Sequence, residues 1–234
     1  MEKQKRKVGT QKVYKKKELP KKLIDENSSS LAREDLNPGT LLSPLPAVMV
    51  TVGDMDNSNI ITVAWTGILS TNPPRAYISV RPSRHSYRLI EETGEFVINL
   101  TTEELVYETD YSGIYTGAKV DKFEKLHLTK KTSKCVSCPT IGESPLSLEC
   151  RVFDKISSGT HDIFLADVLN VSIRADMKDK DGKILLDKAG LVSYVHGEYF
   201  ALGKRVGAFG FSAAKKGSPK AKYLKKQHAV SKKR

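Results

Sequence analysis

The sequence predicts a mainly β fold, a closed antiparallel barrel carrying a few short helices. Three observations lead there. Apolar residues fall in short runs, several of them alternating with polar ones. Gly, Pro, Asn and Asp punctuate those runs at turn-like intervals. Only two or three stretches carry helix signals, too few for the strand–helix alternation of a doubly wound sheet.

Taken in order, residues 1–36 are Lys-rich and then polar, and read as a mobile, disordered arm. Asn37-Pro38-Gly39 is a turn signal that opens a domain over residues 37–214. Pro46–Gly53 reads as a first strand and Asn59–Trp65 as a second, joined by the polar loop Asp54–Ser58. Pro73-Pro74 sets a corner before a third strand, Ala76–Arg81. A helix follows over Ser83–Thr93, stopped by Gly94, and a fourth strand over Glu95–Leu100 puts Phe96, Ile98 and Leu100 on one face. Thr101 with Glu104 three residues on forms a capping-box pattern for a second helix, and Val120–Lys125 reads as a short helical turn. Leu146–Ile156 and Ile163–Arg174 are long strand candidates, Asp176–Gly182 a charged turn, and Leu191–Val195 and Tyr199–Val206 shorter strands. Residues 215–234 form a basic tail, expected to be disordered.

The Ser83–Thr93 helix is charged in the unfavourable sense. Arg84, His85 and Arg88 come first, Glu91 and Glu92 last. Helices favour anions at the N-terminus and cations at the C-terminus by roughly 0.3–1 kcal/mol each, and Arg84 and Arg88 repel at i,i+4. A bound phosphate reconciles this arrangement, with free backbone N–H groups, the hydroxyls of Ser83 and Ser86 and the guanidinium groups of Arg81 and Arg84 as donors. A solvated basic helix start beside a serine N-cap is the plainer alternative.

The net charge of +12 sits at the ends: residues 1–22 carry +8, residues 215–234 carry +9, and the segment between carries −5. The folded part is therefore mildly acidic, and contact with nucleic acid is expected only through the tails. Three cysteines, Cys135, Cys138 and Cys150, are too few for a disulfide framework and fit a reducing compartment. No secretory pattern is visible, and the longest mostly apolar run, Leu41–Gly53, is broken by Pro44 and Pro46. The expectation is a cytoplasmic protein without a membrane span.

The pieces Asn59-x-x-Thr62-Val-Ala-Trp-Thr-Gly67, Pro73-Pro74, Ile78-Ser-Val-Arg81-Pro-x-Arg84-x-Ser86-Tyr87 and Glu95-Phe-Val-Ile-Asn-Leu100 resemble the flavoredoxin branch of the flavin reductase-like, FMN-binding split-barrel family. The likeness continues through Glu143–Cys150, Gly159–Val168 and His196–Gly203, and covers roughly residues 37–213. It implies an antiparallel split β-barrel, FMN as cofactor, NADH or NADPH as transient electron donor, a homodimer with flavin near the interface, and a redox protein as partner. The expected activity is that of a flavin reductase or a flavoredoxin-like electron-transfer protein. A non-catalytic FMN carrier or sensor is the alternative.

The resemblance also implies site residues. Asn59, Thr62, Val63, Ala64, Trp65 and Thr66 would line the flavin, through backbone as much as side chain, although the same strand read alone is core with Trp65 as packing. Arg81, Ser83, Arg84, Ser86 and Tyr87 would serve the phosphate end, and Tyr199 the pocket. His161 aligns with a histidine near flavin and nicotinamide in family reductases and is the catalytic candidate. This chain has Thr160 where the family has Asp, and Asp162 where Thr is common. No Gly-x-Gly-x-x-Gly opens a helix, so a nicotinamide would not be held by a Rossmann unit. Cys135-Val-Ser-Cys138 lacks a second pair for a zinc site and reads as an irregular loop, not a helix start that would lower a thiol pKa, whereas Cys150, inside an apolar strand, reads as packing.

Overall fold

The computed structural model describes residues 33–215, 217 and 218. Most of the expected arm and tail lie outside these. The chain divides at Thr40 into two units. In the first, residues 33–40 are exposed and irregular, with a bend at Pro38 inside the expected turn signal.

The second unit is built on a seven-stranded antiparallel sheet. Its strands are β2 (Val48–Gly53), β3 (Ser58–Val63), β4 (Thr66–Thr71), β5 (Pro74–Val80), β6 (Glu95–Leu100), β9 (Leu146–Ser158) and β10 (His161–Ile173). Their spatial order is β3-β2-β6-β9-β10-β5-β4. The two outermost strands are thus consecutive in the chain, linked only by Ala64 and Trp65. A sheet whose opposite edges share a two-residue link must curl upon itself, and the right-handed twist of strands supplies the curvature. A small sheet of β1 (Leu45–Pro46), β11 (Val192–Val195) and β12 (Glu198–Ala201), and a short pair β7 (Lys130–Lys131) with β8 (Thr140–Ile141), complete the β structure.

Alternation puts Val48, Val50 and Val52 of β2, Phe96 and Ile98 of β6, and Phe164 and Ala166 of β10 into the barrel interior. Helix α1 (His85–Thr93) adds Tyr87, Leu89 and Ile90 to the same core. Phe96, Ile90 and Phe164 are essentially fully buried, each contributing roughly 1.5–3 kcal/mol of transfer free energy. The opposite faces of β2 and β3 present Met49 and Ile60 to a second cluster. That cluster is closed by Leu105, by Tyr111 of α2 (Val106–Ile114) and by Phe123 of α3 (Lys122–Lys125).

Four local expectations change. Strand β4 runs over Thr66–Thr71, a stretch to which the sequence assigns no element, and the second strand stops at Val63. Helix α1 starts at His85, with Arg84 as an N-cap that makes no side-chain cap bond, so Ser83 does not cap it. The Thr101–Glu104 capping box does not form. A 3-10 turn over Glu103–Leu105 precedes α2, and the Thr101 hydroxyl instead accepts from Thr109 Oγ1 at 3.3 Å. The strand expected over Tyr199–Val206 ends at Ala201. Among the described residues no helix is long and apolar enough to cross a membrane.

Candidate functional site

A small, open cleft lies where the start of α1 faces the end of α2 and the loop beyond it. Asn59, Ser83, Arg84, Ser86, Ser112, Tyr115 and Lys122 are among its lining residues, and no carboxylate is. The local sequence explains the geometry. Arg84 N–H bonds to Arg81 O at 3.0 Å, which turns the chain out of β5 and into α1. The first turn of that helix holds no acid and has no side-chain cap; Tyr87 N–H bonds back to Arg84 O at 3.0 Å, which leaves the N–H groups of His85 and Ser86 to face an anion. Asn59 Nδ2 donates to Ser86 Oγ at 2.8 Å and ties the turn to β3.

Lys122, only 3 % exposed, drives the electrostatics. Its Nζ donates to Ile60 O at 2.5 Å and Ser112 O at 2.8 Å. An ammonium has three donors, so one remains for whatever enters the cleft. Burial, and then the charge of Arg84, pull its pKa down to about 8. The Ser112 hydroxyl is buried in the same lining without a hydrogen-bond partner, and a buried polar group left so costs about 1–3 kcal/mol. A buried cation, an orphan hydroxyl and an uncapped helix start converging on one cleft are the donor set that a phosphate satisfies. Sequence reasoning missed Lys122 and Ser112, because neither belongs to a recognisable motif.

A second cluster forms around His161, on which the charge of Arg84 acts as it does on Lys122. His161, at the start of β10, packs its ring on Trp65 with centroids 4.5 Å apart. Arg81 Nε donates to His161 Nε2 at 3.4 Å, so that nitrogen is the acceptor, and Nδ1 faces Thr160 Oγ1 at 2.9 Å. Burial, then Arg81 and Arg84, hold the imidazole below its ordinary pKa, which keeps it neutral at pH 7. Arg81 therefore faces the histidine, whereas Arg84 faces the cleft.

The remaining expected residues separate by side-chain direction. Thr66 Oγ1 donates to Tyr77 O at 2.6 Å, Thr62 Oγ1 donates to Thr109 O, and Ala64 is half-buried. The Val63 side chain lies in the barrel core, so only its backbone faces the chain's link to β4. Tyr87 also points away from the cleft: its hydroxyl donates to Asp162, and its ring packs edge-on against Phe164 at 5.2 Å. Tyr199 is tied to α2 through Asp110 Oδ1 at 3.3 Å, and burial followed by Asp110 pushes its pKa up to about 12. It is absent from the cleft's lining. Cys138 and Cys150 are fully buried, and burial pushes both thiols up to about 12, as unreactive packing groups. Among the described residues no group of three or more His, Cys, Asp or Glu is placed to hold a metal ion.

Comparison with known proteins agrees with this geometry. The flavin reductase like domain family matches residues 41–203. The flavoredoxin of Desulfovibrio vulgaris (Miyazaki F) is similar at 31 % identity and a TM-score of 0.70, over 80 % of this chain and 99 % of that one. A flavoredoxin from Methanosarcina acetivorans shares the fold, at 24 % identity and a TM-score of 0.71, over 78 % of this chain and 100 % of the other. An uncharacterized protein of Archaeoglobus fulgidus is 36 % identical over 138 residues, which are 59 % of this chain and 77 % of that protein. With the family match running through the barrel and both residue clusters, the chain belongs to the flavin reductase-like family.

Proposed function

We propose that the chain binds FMN and serves as an NAD(P)H-linked flavin reductase or a flavoredoxin-like electron-transfer protein. The observation that carries this reading is the buried Lys122 beside Arg84, an orphan Ser112 hydroxyl and an uncapped helix start in one carboxylate-free cleft. Ser83, Arg84, Ser86 and Lys122 hold the phosphate, with Asn59 positioning Ser86. The ring system lies along Ala64–Thr66, beside Trp65 and His161. The 31 % identity to the Desulfovibrio flavoredoxin over most of both chains supports the assignment.

Bound flavin supplies the hydride and single-electron chemistry, and the protein supplies binding, orientation and electrostatics. Arg84 and Lys122 fix one end of the ligand by charge-assisted bonds. Trp65 gives an apolar wall, and neutral His161 presents an uncharged ring beside it. Exposed Phe153 and Ile156 on β9 favour a second copy of the chain as cover for that strand. The test is anaerobic mixing of the flavin-loaded protein with NADH and, separately, NADPH, while flavin absorbance is followed. Rapid bleaching by one of them is expected, and a protein that takes up no flavin sinks the proposal.

One observation favours the carrier reading. Both nitrogens of His161 have partners, Arg81 and Thr160, which hold the ring in position. Tight flavin binding without bleaching by either nucleotide would select this second reading.

A further inference from the structure

We propose that Asp162 is the positioning residue for His161, and that it acts through its bonds to Tyr87 and Ser157. The inference rests on the reading that a flavin ring lies along Ala64–Thr66 beside Trp65 and His161. Two of the groups at that place are carried by β5. Trp65 O accepts from Ser79 N at 2.9 Å, which ties the tryptophan backbone to that strand. Arg81, two residues further on, donates to His161 Nε2. His161 itself opens β10 and pairs with Ser158 of β9, but it has no rung on β5. The ladder between β10 and β5 begins one residue later, with Asp162 opposite Val80. The imidazole thus stands one residue outside that ladder, and its seat on Trp65 depends on how firmly Asp162 is held.

Asp162 is held from two elements. Successive strand residues point to opposite faces, so His161 lies on Trp65 while the Asp162 carboxylate turns the other way and is 7 % exposed. One oxygen accepts from the Tyr87 hydroxyl of α1, the other from Ser157 Oγ of β9 at 2.7 Å. These bonds, Tyr87 first, hold the carboxyl below its ordinary pKa, so both oxygens remain acceptors at neutral pH. Tyr87 is fixed in turn. Its ring packs on Phe164 in the barrel core, and its oxygen accepts from Lys155 Nζ at 3.1 Å, an ammonium paired with Glu91. An apolar side chain would fill the same interior without the cost of burying a charge. The carboxylate adds two directional bonds at the rung next to the imidazole.

The experiment follows the His161 titration by NMR on the full chain without flavin, with His161→Ala identifying the resonance. Emission from Trp65, the single tryptophan, is read alongside. A protonated imidazole in contact quenches indole emission, so wild type should show a pH step at the His161 pKa. Burial and the charges of Arg81 and Arg84 depress that pKa, and they act only while the ring keeps its seat. Asp162→Ala should therefore raise it toward the ordinary 6.5 and abolish the emission step. Loss of a nearby negative charge alone would lower it. Asp162→Asn should stay near wild type, because its amide can accept from Tyr87 and donate to Ser157 Oγ. Tyr87→Phe keeps the core ring and should shift both readouts part of the way; it decides the matter if Asp162→Ala does not fold. An unchanged or lowered imidazole pKa, a persistent emission step, or Asp162→Asn shifting as far as Asp162→Ala overturns the inference. With flavin added, Asp162→Ala should weaken FMN and riboflavin by the same factor, since the ring site changes and the phosphate site does not. A loss confined to FMN overturns the inference as well. A wild-type chain that takes up neither flavin overturns the flavin reading, while the flavin-free titration still decides the positioning.

Discussion

Asn59 and Ser86, 27 residues apart, are joined by a 2.8 Å hydrogen bond from Nδ2 to Oγ, and Gly117 leaves room for it. A Cβ on Gly117 would stand 2.3 Å from the Asn59 amide. Gly117→Ala must therefore push Asn59 off Ser86. The expected result is a destabilisation of about 1–3 kcal/mol together with weaker FMN binding. Urea denaturation and a binding titration on the same variant check it. A variant of unchanged stability and affinity would show that the amide moves aside without consequence.

Lys122 makes phosphate binding depend on pH. In the free protein its ammonium titrates near 8, and a bound phosphate dianion raises that value. Above pH 8 the protein must then take up a proton on binding. FMN affinity should fall with rising pH by up to about tenfold per unit, starting near pH 8. Riboflavin, without the phosphate, should show no such fall, and Lys122→Met should flatten the FMN profile. For the unliganded protein the sign is the reverse. The folded pKa is below the ordinary 10.5, so between about 8 and 10.5 the unfolded chain binds more protons, and this group adds stability as pH rises through that window.

Arg84 and Arg81 should separate in their effects. Arg84→Ala removes a charged donor from the cleft, and a loss of roughly 1.5–3 kcal/mol is about 10- to 150-fold in FMN affinity. Riboflavin should be much less affected. Arg81→Ala removes the donor to His161 Nε2 and the stronger of the two positive charges that depress it, so the imidazole pKa should rise while FMN affinity changes little. Histidine NMR titration and paired flavin constants decide this. A larger FMN loss in Arg81→Ala than in Arg84→Ala would reverse the two roles.

Glu149, 1 % exposed, anchors the cysteine loop. It accepts from Lys134 N at 3.0 Å, Cys135 N at 2.6 Å and Asn170 Nδ2 at 2.8 Å. Glu149→Leu strands those donors and should cost about 1–3 kcal/mol or more. Glu149→Gln should cost less, since its oxygen can keep the backbone pair while Asn170 turns its amide. Thermal unfolding of both variants tests the order, and Cys135 should become faster to alkylate in the Leu variant only.

How legible these features were depended on whether the signal was local. Glu95–Leu100 was read to the residue because its alternation matches a barrel strand. The end of α1 was read because Gly94 takes the left-handed φ of 66° that favours glycine. Thr66–Thr71 was missed as a strand because it lies at the edge of the sheet, with Ile68 and Leu69 both exposed and no alternation to see. The reversed charge order at Arg84 pointed to the cleft. Lys122 did not, because Val120–Lys125 reads only as a short helical turn. Its burial is set by Ile60, 62 residues away, which no local pattern encodes.

The spatial order that begins with β3 and ends with β4 bears on how the protein avoids self-association. An open antiparallel sheet offers two unpaired edges to other chains. Here the two edges are held together by Ala64 and Trp65, and β3 is further covered where Thr62 reaches Thr109 on α2 and Lys122 caps the carbonyl of Ile60. Severing the chain between those two strands, by a protease or by circular permutation, would release both edges at once. The two-residue link thus ties both sheet edges to one barrel, on the same stretch that lines the candidate flavin site.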